Sequence, residues 1–211
     1  GLSDAIQGGT TSLKAFGVQA ALSIAATMIN QVVNLAISLH DASGAFRRAT
    51  GASAAMAGEM TEVYGATRDA TVSIEQASAA YQGLYRNFTD FTLVSKAERI
   101  QLGKTGAVLA ELGVSNEAFG KSIQTSTKMF GQSVTEAGKT AIEIKEIATN
   151  LGLPVDELAG KYASMGPSLA KLGSQGTKAF KDLAHISKIT GMEMESVLRI
   201  TEKFDTFEGA A

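Results

Sequence analysis

The 211-residue chain has no cysteine and no tryptophan, only two prolines, and aromatic residues at 6%. Without cysteine, neither a disulfide scaffold nor a thiolate metal site can form. The scarcity of proline leaves long stretches open to helix, and 33 alanines favour that state. So few aromatics predict a core built from Leu, Ile, Val, Met and Ala. Nor is there an excess of one charge: 19 basic and 21 acidic side chains give a net charge of −2. No basic field would gather polyphosphate, so specific nucleic-acid binding is not expected. The chain opens Gly1-Leu2-Ser3 without an initiator Met or a secretory signal pattern, which reads as a piece of something longer. The length suffices for one large domain or two small ones.

What is present begins with a charge-free run from Ala15 to Leu39. Within it Gln19, Ser23, Thr27, Asn30, Asn34 and Ser38 recur at steps of 4, 4, 3, 4 and 4. Each of the first three returns eleven positions later, close to the pitch of a straight helix. The spacing therefore predicts one long apolar helix with a neutral polar stripe. Three roles suit it: a buried bundle helix, a membrane-entering segment of an oligomer, or a lone anchor. Its apolar faces, larger than a single amphipathic helix needs, predict self-association.

Beyond Asp41 the chain is punctuated for helices. Ser73 with Gln76, Ser95 with Glu98 and Ser133 with Glu136 have capping-box spacing. Gly113, Gly152 and Gly191 each follow an apolar-periodic stretch, where a left-handed glycine would end a helix. They are 39 residues apart, and other columns keep step: Val108, Ile147 and Ile186; Val114, Leu153 and Met192; Glu117, Asp156 and Glu195; Phe119, Leu158 and Val197. The expected fold is all-α, with glycine-punctuated helix pairs repeating every 39 residues. The alternative is an ordinary bundle whose helices share caps. A looser copy starts at Val72-Ser73-Ile74-Glu75, without the glycine. The expected divisions are 1–40, an apolar oligomerising or membrane-active helix; 41–70, a small-residue helix or connector; and 71–211, the helix-pair region. Gly166-Pro167 and the segment 173–176 read as breaks between helices.

No pattern calls for catalysis. His40 and His185 stand alone, and no zinc-helix or nucleophile-elbow motif occurs. Gly-Lys-Thr at 103–105 and 138–140 imitates the end of a phosphate loop, but Glu98 and Ser133 occupy the positions where its first glycine belongs. The acidic pairs Glu143 with Glu146 and Glu193 with Glu195 read as solvated helix faces. The sequence thus predicts no enzyme, no cofactor and no metal, cofactor-binding or catalytic residues.

Several stretches carry a family likeness: Asn87-Phe-Thr-Asp-Phe-Thr92, Met165-Gly-Pro-Ser-Leu-Ala-Lys-Leu-Gly173, Ala179-Phe-Lys-Asp-Leu183 and Ile200 to Ala211. With the recurring Leu-Gly-(Val/Leu) before an acidic helix start, at 112–117 and 151–157, they make the chain from about Asp41 onward resemble phage tail tape measure proteins. The resemblance implies a multi-copy structural protein, three or six chains around the axis, in the lumen of the tail tube. It implies a role in templating tail length and assisting genome delivery, assembly in the host cytoplasm, and contact with tube, baseplate or tail-tip proteins. The apolar 15–39 segment would suit contact with the host membrane during ejection. A membrane-active bundle, such as a pore-forming or secreted effector fragment, is the other functional class that fits.

Overall fold

A computed structural model describes residues 27, 28 and 30–208, with side chains described as far as Glu202. All regular structure among the described residues is helical. They divide between a unit that ends at Ala42 and a second that begins at Ser43. The first expected helix, 15–39, lies partly outside the described residues. Residues 30–50 are helical (α1), and within the first unit Met28, Val32, Val33 and Ile37 are all about half exposed or more. No described helix is long and apolar enough to cross a membrane.

The second unit continues through α2 (Ala54–Thr67), α3 (Ile74–Asn87), α4 (Lys96–Glu111), α5 (Asn116–Lys128), α6 (Val134–Leu151), α7 (Val155–Leu169), α8 (Gly176–Thr190) and α9 (Met194–Glu208). Local chemistry accounts for most of these boundaries. Ser73, Ser95 and Ser133 each form a reciprocal capping box with the residue three positions on. Ser53 and Ser115 cap α2 and α5 through the hydroxyl alone. The 41–70 stretch, ambiguous from its composition, is helix interrupted at 51–53, where Gly51 takes a φ of 71°.

Gly113, Gly152 and Gly191 all adopt left-handed backbone, at φ of 92°, 62° and 70°. After the first two, the amides of Val114 and Leu153 reach back five residues to the carbonyls of Leu109 and Ala148, closing Schellman turns. At the third, the Gly191 amide bonds to Ser187 by the simpler four-residue closure. Thr71 holds the corresponding place before Val72 and is also left-handed, with φ 62°. A β-branched residue there carries about 1 kcal/mol of strain. Thr71→Gly is therefore expected to raise stability by roughly 0.5–1 kcal/mol in urea unfolding, part of the relief being offset by the freer unfolded chain. A loss would mean that the Thr71 hydroxyl bond to Ala70 outweighs the strain.

One expected break is not there. Gly166 and Pro167 lie within α7, which continues to Leu169. Proline removes the amide that would bond to the Ala163 carbonyl. The Thr125 hydroxyl of α5 donates to that carbonyl instead, at 3.4 Å. The true break falls at Gly173, with φ 52°, in the short 3₁₀ segment that leads into α8.

Helices pack on their immediate neighbours and on the helix two places along: α2 on α4, α3 on α5, α4 on α6, α5 on α7 and α6 on α8. Glycine sets how close α3 and α5 come. A Cβ on Gly120 would sit 2.8 Å from the Gly83 carbonyl oxygen, and one on Gly83 2.7 Å from that of Asn116. The core consists mostly of Ala, Leu, Ile, Val and Met, as composition predicts, but aromatic side chains are its largest members. Its largest fully buried side chains are Tyr81, Tyr162, Phe46, Phe88, Phe91, Phe119 and Phe180. Tyr81 stands edge-on between Phe46 and Phe91, at centroid distances of 5.5 and 5.0 Å. Tyr162 stands between Phe130 and Phe180, at 5.7 and 5.0 Å. Aromatic residues are few, but each buries so much surface that a handful contributes heavily to the interior.

Candidate functional site

Side-chain chemistry concentrates in two buried polar clusters and one apolar groove. In the first cluster Glu59 of α2 lies in the helix's apolar stripe with Met60, Val63 and Thr67, and its side chain is only 6% exposed. Arg99 of α4 grips it with two bonds, Nε to Oε2 at 2.7 Å and Nη2 to Oε1 at 2.6 Å. The Tyr81 hydroxyl donates to Oε2 as well, and Arg99 Nη1 donates to the Val94 carbonyl in the α3–α4 turn. Burial alone would raise the Glu59 carboxyl, but the bonds from Arg99 and Tyr81 and the adjacent cation outweigh it, holding the group below its ordinary value. Burial first, and then the neighbouring carboxylate, push the Tyr81 phenol far above its usual range. Both carboxylate oxygens are engaged and the group is held ionised. The arrangement clamps three helices and a turn; it is not poised to move a proton.

The second cluster is a relay of neutral groups. Ser126 of α5 meets the Tyr162 hydroxyl at 2.7 Å, and that hydroxyl meets Thr177 of α8 at 3.0 Å. Gln132 Nε2 donates to Thr177 at 3.1 Å, while Thr140 of α6 donates to Gln132 Oε1 at 3.0 Å. Burial raises the Tyr162 phenol, and the two hydroxyl contacts partly oppose that. No histidine or carboxylate bonds to Ser126, so its hydroxyl has no base to activate it. The relay joins four helices through groups that can both give and accept. Sequence spacing does not reveal either cluster, since most partners are 15 to 45 residues apart, Thr140 with Gln132 and Arg99 with Val94 excepted. The one local sign was an acid within the apolar stripe of α2.

Features singled out in the sequence fall elsewhere. His40 and His185 are both exposed. The two Gly-Lys-Thr triplets lie inside α4 and α6, and their glycines serve packing. A Cβ on Gly103 would come 2.6 Å from Val63 Cγ2, and one on Gly138 3.4 Å from Leu102. Glu143 pairs with Lys181 and Glu193 with Lys161. No group of three or more potential metal-binding side chains occurs among the described residues.

The groove runs between α4 and α6. Two cavities, of about 120 and 340 Å³, share Gln101, Thr105 and Ile142 and so form one trough. Glu98 lies with Val134 at one end, and Leu112 lies with Lys145 and Glu146 toward the other, so the two helices run in the same direction. The fourteen residue steps from 98 to 112 give a length of about 21 Å. Val108, Leu112 and Ile142 are 36%, 48% and 40% exposed along it. Such a trough can take up an apolar ridge; its chemistry is that of an interface.

Comparison with protein-family models, curated proteins and solved structures yields no match. Function must therefore be argued from the residues themselves.

Proposed function

We propose that the chain is a structural piece of a phage tail tape measure protein, working in the lumen of the tail tube to template tail length and assist genome delivery. The observation that carries this reading is the likeness of residues 41–211 to that family, through the stretches 87–92, 165–173, 179–183 and 200–211. Two structural features are compatible with it. The buried charges are held in a clamp and several surface charges are paired, with no activated nucleophile or metal cluster among the described residues. Its helices engage the helix two places along with similar offsets, as in Ser115 to Asp156, Ser122 to Ala159 and Lys181 to Glu143. With the three left-handed glycines, those offsets support a 39-residue helix-pair repeat.

In this reading the copies, three or six of them, associate through the apolar 15–39 segment and meet tube and baseplate or tail-tip proteins. The helix pairs fold back on themselves, so they are not the ruler itself. Deleting one unit, Gly113 to Leu151, from the phage gene is expected to disturb assembly or DNA delivery while changing tail length little. An extended helix would instead shorten the tail by about 58 Å, at ~1.5 Å per residue. Electron microscopy and mass spectrometry of purified virions provide the check. Tails that lack the chain, or virions indifferent to its loss, would overturn the proposal.

The exposed Met28, Val32, Val33 and Ile37 favour one other reading, a membrane-active helical bundle. Leakage of a trapped dye from lipid vesicles at nanomolar protein would support it over the first.

A further inference from the structure

We draw no further inference here: the strongest candidate, the apolar trough between α4 and α6 where Val108, Leu112 and Ile142 are open to solvent, carries Lys139 and Lys145 beside Glu98 and Glu146 along its walls, so that neither its charge nor anything else in the structure shows what covers it.

Discussion

Replacing Arg99 by Met should cost about 3–5 kcal/mol of folding stability, because the change leaves an ionised carboxylate buried without its cation. The guanidinium is 14% exposed and its partner 6%, so water can replace little of what is lost. The Val94 carbonyl also loses its donor, which should loosen the α3–α4 turn. The pH dependence makes the cause identifiable. In the native protein the Glu59 carboxyl is held below its ordinary value of 4.5. Its contribution is thus present above that value and fades as pH falls through the depressed one. In Arg99→Met burial acts unopposed by the cation, the carboxyl titrates higher, and protonation on acidification favours the folded state. The gap between native and variant should therefore narrow between pH 7 and pH 4 in denaturant titrations. A gap constant with pH would mean that lost packing, and not the stranded charge, causes the defect. Replacing the whole clamp, Glu59→Leu with Arg99→Met and Tyr81→Phe, should recover much of the loss, since no buried charge is then left unpaired and only the Val94 carbonyl still lacks its donor.

Gly120→Ala should cost roughly 2–3 kcal/mol, the penalty of forcing volume into a closed contact. The added carbon would lie 2.8 Å from both Asn87 Cβ and the Gly83 carbonyl oxygen. Neither belongs to a side-chain end that can swing aside, so α3 and α5 must separate. Gly58→Ala is the control: Gly58 is in the interior of α2, and a Cβ there meets nothing within 4 Å. That change should stabilise by about 0.5–1 kcal/mol through helix propensity. Thermal unfolding of the two variants should therefore shift in opposite directions. Similar shifts would show that the α3–α5 contact yields more easily than its backbone geometry indicates.

Much of the local architecture was legible in advance. Three capping boxes and three helix-ending glycines were read from spacing, and each is in place. These are short-range effects: a serine hydroxyl three residues from an orphan amide meets it in nearly any fold. The misreadings came from long-range effects. Proline at 167 is a breaker on local grounds, yet α7 runs past it, and the Thr125 hydroxyl from another helix takes up the carbonyl that it frees. Thr71 takes a conformation that local propensity assigns to glycine, because the turn ahead of Val72 requires it.

The sequence by itself determined the helical class, where most helices start and stop, and the absence of cysteine chemistry. It did so because propensity and capping act within a few residues. Tertiary structure alone decided that the scarce aromatics become the largest buried side chains, that Glu59 meets Arg99 across 40 residues, and that Ser126, Tyr162 and Thr177 share hydroxyl bonds. These outcomes depend on which helix faces meet, and sequence pattern within one helix does not say which faces those are.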